Sequence, residues 1–159
     1  ERCSLTKPTL YYHFGSKEAL FLEAVRSRTD ALRSLVEDSV AHGPDTEERL
    51  RAFITAYLAF AAENGAGMRL LMTVHYRPDE GQPEVDLLSV HRRNGELLAA
   101  VLAEGVRTGH LRADLDVQET VMALVGMVHL RCGAAARGVP LRAGAADRLF
   151  DLFFHGVAR

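Results

Sequence analysis

Apolar residues recur at helical spacing along most of the chain. Between residues 50 and 61 they lie three and four positions apart, as in a helix with one buried stripe. These positions are Leu50, Phe53, Ile54, Tyr57, Leu58 and Ala61. Sustained alternation of apolar and polar residues, which is typical of strands, is not found. The pattern therefore predicts an all-α fold.

Capping residues predict where these helices begin and end. Ser16 can cap a helix that Gly43-Pro44 would stop, and Asp45 with Glu48 forms a capping box for the next one. Asp116 with Glu119 repeats this pattern further along. The polar stretch RPDEGQP at 77–83 is the most turn-like segment. The predicted helices span about 16–42, 45–64, 68–76, 84–108, 117–136 and 146–157.

The last two predicted helices are unusually apolar. The helix at 117–136 lacks a charged stripe, so we expect it to be buried all round. The helix at 146–157 presents a broad apolar face made of Leu149, Phe150, Phe153, Phe154 and Val157. A chain of 159 residues would not readily cover both, so we predict a homodimer through the last two helices. Gly126 and Gly133 could serve either the dimer contact or a ligand space.

Composition limits the chemistry of the protein. The net charge is −2 and the pI is near 6.4, so any DNA binding must be local rather than due to a basic field over the whole molecule. Cys3 and Cys132 lie far apart, and the seven histidines lack HxxxH or HxH spacing, so we predict no metal site and no cofactor. No apolar run reaches the roughly 20 residues of a membrane span, and no export leader is recognised. We expect a cytoplasmic protein with no membrane partner.

The stretch TKPTLYYHFGSKEAL at 6–20 predicts a short helix rich in tyrosine and basic residues. Thr6 is a suitable N-cap, and Pro8 is tolerated in the first turn because its missing amide would be unpaired there. Leu10 and Phe14, four residues apart, would anchor the helix, and Gly15 would end it.

The opposite face of this short helix suits the major groove of double-stranded DNA. Tyr11, His13 and Lys17 are placed to meet phosphates, together with helix N-terminal amides. Thr9, Tyr12 and Lys7 are placed to meet bases. The predicted DNA contacts are Thr6, Lys7, Pro8, Thr9, Tyr11, Tyr12, His13 and Lys17. An isolated Tyr-Tyr-His could instead be the amphipathic cover of a bundle, but the complete stretch with its caps favours DNA.

The same stretch resembles the recognition helix of the TetR family of transcriptional regulators, whose pattern is approximately Leu-Tyr-x-His-Phe-x-x-Lys-x-x-Leu. The matching positions are Leu10, Tyr11, His13, Phe14, Lys17 and Leu20. Residues 105–120, GVRTGHLRADLDVQET, resemble the family's link to its dimerising helices. The resemblance implies a helix-turn-helix remnant at 1–17 and a ligand-binding and dimerisation domain at 18–159. It also implies a ligand-responsive homodimer that binds a palindromic operator, expected to be a repressor.

The chain departs from the family pattern at its start. Two helices should precede the recognition helix, and only five residues stand before Thr6. Without those helices Leu10 and Phe14 lack packing partners, so the chain alone is not expected to bind DNA.

Polar and polarisable residues interrupt several apolar segments. Taken singly, each Met would fill a gap in the core and each His would find a neighbouring carbonyl. The family resemblance instead implies a pocket among the middle helices for a small, hydrophobic effector. The expected lining residues are Tyr57, Met68, Met72, His75, Tyr76, His91, Asn94 and Met122.

The sequence also bears on two other functional classes. No GxSxG, GxGxxG, P-loop or HExxH pattern is present, and the carboxylates fit helix caps and solvated faces, so we predict no enzyme activity. The alternative to a regulator is a helical small-molecule-binding module that acts as a sensor or carrier without binding DNA.

Overall fold

The structure, a computed structural model, describes residues 6–76 and 85–158. The side chains of Tyr76, Leu87 and Leu88 and the predicted turn at 77–83 lie outside the described part. Seven helices make up the described regions. They are α1 (Lys7–Phe14), α2 (Lys17–Ala41), α3 (Thr46–Glu63), α4 (Gly65–Tyr76), α5 (Leu87–Thr108), α6 (Val117–Ala136) and α7 (Ala145–Val157).

Side-chain caps begin three of these helices at the predicted residues. The Ser16 hydroxyl accepts a hydrogen bond from the Ala19 amide at 3.0 Å, and the Asp45 carboxylate accepts one from the Glu48 amide at 2.9 Å. Asp116 accepts from the Gln118 and Glu119 amides, both at 3.0 Å. Each cap satisfies first-turn amides that have no partner within the helix, which explains why the sequence located these starts well.

Two predicted helix starts need correction. α4 begins at Gly65 rather than Met68, because the Met68 amide donates to the Asn64 carbonyl at 2.8 Å and the chain resumes helical geometry directly after α3. α5 begins at Leu87 rather than near residue 84, because Asp86 is its N-cap and accepts from the Ser89 amide at 3.0 Å.

The helices pack around one apolar core. α2 contacts α3, α4 and α5, and α3 also contacts α6 and α7. α6 packs against α3, α4 and α5. The largest fully buried side chains include Phe53, Phe150, Leu50, Ile54, Met68 and Leu98. Because α1 packs against α2, the long second helix connects the N-terminal segment to the core.

Arginines of α3 link that helix to its neighbours. Arg49 forms a 3.0 Å ion pair with Glu104 of α5. The Arg51 guanidinium lies 4.0 Å from the centre of the Phe150 ring in α7 and 3.6 Å from the Asp147 carboxylate. These pairs are partly exposed and add little stability individually, but they orient α5 and α7 against α3.

The connection from α5 to α6 requires one glycine because of a close approach. A Cβ atom at Gly105 would lie 2.8 Å from side-chain atoms of both Leu111 and Thr46. The Leu111 amide also donates to the Gly105 carbonyl at 3.0 Å. The segment after α5 is therefore held directly against that helix.

The chain's own core covers α6 only in part. Val121, Leu124 and Val128 are buried, whereas Met122 and Leu130 are each 70% exposed. The periodicity showed that this helix has no polar face, but it did not show which apolar residues the chain's own core covers.

The apolar face predicted for α7 is confirmed. Its residues Leu149, Phe150, Phe153 and Val157 are buried, and Phe154 stacks on Phe150 with ring centres 5.0 Å apart. Leu152, on the outer side, is 73% exposed. The homodimer through α6 and α7 stays a prediction.

Candidate functional site

The short helix α1 has the predicted local geometry. Its N-cap is Thr6, whose hydroxyl lies 2.9 Å from the Thr9 hydroxyl and 3.5 Å from the Thr9 amide. Gly15 has φ of +75°, and its amide donates to the Tyr11 carbonyl at 2.8 Å. Glycine adopts this conformation without the steric cost of a Cβ atom, so the chain turns sharply from α1 to the Ser16 cap of α2.

The predicted DNA-contacting side chains lie mostly at the surface. Tyr12 is 87% exposed, with its ring edge-on to His13 at 5.6 Å, and Thr9 is partly buried. The exposed members of the set are Thr6, Lys7, Pro8, Tyr11, Tyr12, His13 and Lys17. On the inner side, Leu10 is partly buried, and Phe14 is 37% exposed. This outer face is available to a partner.

A cavity of about 760 Å³ lies between α5 and α6, with further walls from α2, α3 and α4. Most of its wall is apolar, and it includes Val36, Phe53, Leu98, Val121, Val125 and Val128. Its polar groups include Tyr57, His75, His91, Asn94 and His129. A mostly apolar space of this volume with a few convergent polar groups matches the usual form of a small-molecule site, about 300–1,000 Å³.

The structure brings most of the predicted pocket residues together. Tyr57, His75, His91, Asn94 and Met122 lie on the wall of the large cavity. Met72 lies instead on a neighbouring space of about 20 Å³, which is large enough for one water molecule. Tyr57, His75, His91 and Asn94 border both spaces.

Two further residues of the predicted lining set have a different status. Met68 is fully buried in the core, where its flexible side chain fills space between helices, and it borders neither cavity. The Tyr76 side chain lies outside the described residues. Of the two glycines of α6, Gly126 borders the large cavity, whereas Gly133 lies against Arg137.

His129 is a buried polar wall residue that is missing from the predicted lining set. It is buried on α6 and borders both cavities, and its Nε2 atom lies 3.0 Å from the Tyr57 hydroxyl. The sequence feature that could have identified His129 is its position within an otherwise apolar segment. Taken alone, that signal is typical of a core histidine with one satisfied hydrogen bond.

Three histidines from three helices meet at this end of the cavity. The ring centres of His75 and His91 are 4.6 Å apart, and each lies within 6 Å of the His129 ring, at 5.9 and 5.8 Å. Burial, followed by the nearby His91 and His75, lowers the pKa of His129 to about 4. Burial and His75 also lower the pKa of His91. His129 is therefore neutral near pH 7.

The same wall contains an unsatisfied acceptor. The Asn94 side-chain oxygen is buried and has no hydrogen-bond partner within residues 6–76 and 85–158. Across those same residues, no group of three His, Cys, Asp or Glu side chains could hold a metal ion. The chemistry available to a ligand here is apolar contact plus hydrogen bonding.

Two profiles of known protein families match the chain. The profile described as "Tetracyclin repressor-like, C-terminal domain" matches residues 43–131, more than half of the chain, and that of "Bacterial regulatory proteins, tetR family" matches residues 1–24. The chain belongs to the TetR family. The second match covers α1 and the start of α2.

The TetR-family relatives of this chain include both an activator and a repressor. The transcriptional activator FasR of Mycolicibacterium smegmatis is 34% identical over 48% of this chain and 35% of its own length. The transcriptional repressor KstR2 of Rhodococcus jostii is 34% identical over 69% of this chain and 54% of its own length. The chain thus spans between a third and just over a half of these two relatives.

A solved TetR-family structure has the same fold. The regulator PfmR of Thermus thermophilus superposes with a TM-score of 0.80 at 27% identity, covering 98% of this chain and 84% of PfmR. The relatives are transcriptional regulators rather than enzymes. Of the helices described here, none is long and apolar enough to span a bilayer.

Proposed function

We propose that this TetR-family protein is a ligand-responsive regulator whose α1 binds operator DNA and whose α5–α6 cavity binds a small, largely apolar effector. The observation that carries the proposal is the cavity of about 760 Å³, in a chain that also presents an exposed recognition-type helix. We propose repression as its direction, since KstR2, named a repressor, matches a larger share of the chain than the activator FasR does.

The DNA contacts proposed for α1 follow from exposure and chemistry. Tyr12 and Lys7 project from the helix into solvent, and Lys17 begins α2 beside the end of α1. A lysine at a helix start is slightly unfavourable there, because the helix dipole is positive at that end. A DNA phosphate beside Lys17 would remove that cost.

The proposed homodimer accounts for the apolar residues that α6 and α7 leave at the surface. Met122 and Leu130 of α6 and Leu152 of α7 are each at least 70% exposed. Packing these residues against a symmetry mate would bury them and present two copies of α1. A dimer of this kind reads half-sites separated by one turn of DNA, about 34–36 Å.

The helix α2 is the proposed route of coupling between the two sites. It begins at Lys17 beside α1, and its residue Val36 lies on the cavity wall. An effector shifts operator affinity only if it binds better to one spacing of the two α1 helices than to another. Couplings of this kind typically amount to about 1–3 kcal/mol.

The DNA-binding part of the proposal is tested in the complete natural protein. An operator is first selected from a random DNA pool, and its affinity is measured by fluorescence anisotropy at several salt concentrations. Tyr12→Ala and Lys17→Ala are expected to weaken binding, and Lys17→Ala is expected to reduce the salt slope by about one.

Arg107→Ala is the matched control, because it removes one exposed positive charge from the far end of α5. It is expected to leave operator affinity close to that of the wild type. Unchanged affinity in both the Tyr12 and Lys17 variants would refute the contact assignment. If the complete protein selects no DNA sequence but binds small molecules, the sensor or carrier function is favoured instead.

A further inference from the structure

The buried Asn94 side-chain oxygen is a polar atom that the fold leaves unsatisfied. It lies on α5 at the boundary of the large and small cavities and lacks a hydrogen-bond partner throughout the described part of the chain. An unpaired buried acceptor has a cost in folding free energy. A group that donates a hydrogen bond to this oxygen would recover that cost.

The surroundings of Asn94 restrict the chemistry of such a donor. The polar neighbours on the same wall include His75, His91 and His129, and most of the remaining wall is apolar, with residues such as Val121 and Val125. A ligand that reaches Asn94 therefore places one polar end among the histidines and its body against aliphatic side chains.

The charge of the ligand is restricted in the same way. A carboxylate placed here would face the Asn94 oxygen, which repels it, and His129, which is neutral near pH 7. The charged wall residues, Arg92 and Glu96, are both exposed and opposite in sign, so they give no net preference for an anion or a cation. Burying an ion without a partner is strongly unfavourable.

We propose that the effector class is an uncharged, mainly aliphatic molecule whose hydroxyl or amide N–H donates a hydrogen bond to Asn94. This inference rests on the proposed effector function of the cavity and specifies its ligand. Asn94 then determines specificity, because an otherwise equal ligand without a donor leaves the buried oxygen unpaired.

The experiment compares two isomers, 1-decanol and methyl nonyl ether, in isothermal titration calorimetry with the complete protein. The two have the same atoms and both contain an acceptor oxygen, but only the alcohol has a donor. The alcohol is expected to bind at least about tenfold more tightly, since about 1.4 kcal/mol corresponds to a factor of ten. Decanoate is included as a charged probe and is expected to bind more weakly than decanol.

Two variants identify the residue responsible. Asn94→Leu retains the side-chain size and removes the acceptor, so it is expected to bind the alcohol and the ether with similar affinity. Gln118→Leu removes an exposed amide from the same cavity wall and is expected to retain the wild-type ratio. Circular dichroism and thermal unfolding check that both variants are folded.

The outcomes separate this inference from the proposed function. Equal binding of decanol and the ether to the wild type, tighter binding of decanoate, or an unchanged ratio in Asn94→Leu would overturn the donor assignment while the cavity remained a ligand site. If none of the three probes binds, the donor assignment fails for this ligand class, and operator binding still tests the regulator function independently.

Discussion

The Tyr57 hydroxyl lies 3.0 Å from Nε2 of His129, and this hydrogen bond joins α3 to α6 through the core. Both residues are buried, and both border the large cavity. One polar contact therefore contributes to the stability of the domain and to the wall of its proposed ligand site.

Tyr57→Phe removes one partner of that bond while retaining the ring that packs edge-on to Phe53. We expect the free energy of unfolding to fall by about 1–2 kcal/mol, because His129 loses a buried hydrogen-bond partner. Urea denaturation measures the change. Tyr12→Phe, at an exposed position, is the control and should have no effect on stability; equal losses in the two variants would contradict the assigned role of the bond.

Stability is expected to fall in mild acid because of His129. Its pKa is about 4 in the folded protein, against an ordinary value of 6.5, so the unfolded chain takes up the proton first as pH falls. The free energy of unfolding should therefore be highest above pH 6.5 and decrease between pH 6.5 and 4, by up to about 3 kcal/mol from this residue. His91, whose pKa is also lowered, adds to the same trend.

His129→Gln tests this source of the pH dependence. Urea unfolding at several pH values between 4 and 7.5 should give a shallower decline for the variant than for the wild type. His155→Gln replaces an exposed histidine of α7 and should retain the wild-type decline. A decline unchanged by His129→Gln would show that other groups cause the acid sensitivity.

Two helical glycines are expected to respond in opposite ways to alanine. A methyl group at Gly105 would press on Leu111 and Thr46 at 2.8 Å, so Gly105→Ala should destabilise the protein by about 1–3 kcal/mol. Nothing lies within 4 Å of a Cβ atom at Gly126, and alanine is the better helix former by up to about 1 kcal/mol, so Gly126→Ala should be neutral or stabilising. Thermal unfolding of both variants measures these changes in stability. A Gly105→Ala variant as stable as the wild type would contradict the close contact.

The proposed homodimer predicts a specific pattern of disruption. Light scattering coupled to size-exclusion chromatography should give a dimer at micromolar concentration for the wild type. Leu130→Arg and Leu152→Arg should each shift it toward monomer, since they place a charge on the apolar surfaces of α6 and α7. Val139→Arg, at another exposed apolar position in the loop between those helices, should remain dimeric. A monomeric wild type would refute the proposal.

The sequence predicted the helices well because their ends are marked by local chemistry. The caps at Ser16, Asp45 and Asp116 act within three or four residues, so no knowledge of tertiary structure was needed to locate them. The starts of α4 and α5 were placed less accurately. α4 follows α3 after one intervening residue, Asn64, and the capping residue Asp86 lies two positions beyond the predicted start of α5.

The cavity was predicted only in part, because its wall depends on contacts between distant helices. Asn94 and His91 were expected there because the family resemblance implies a pocket among the middle helices. Met68 was expected there for the same reason but proved to be core, and His129 was omitted although it borders both cavities. Periodicity identifies which side of a helix is apolar, but it does not show whether that side meets another helix or an empty space.

The most direct measurement is the operator affinity of the complete protein as the cavity is filled. Fluorescence anisotropy with a selected operator is recorded with and without a saturating small molecule. Calorimetry first identifies a molecule that binds the wild type but not Gly126→Trp. The indole of that variant would occupy the cavity. A ligand-responsive regulator should change its operator affinity by about 5–150-fold on saturation, and Gly126→Trp should show no such response. An operator affinity that stays the same in the wild type while the cavity is fully occupied would contradict coupling between the two sites.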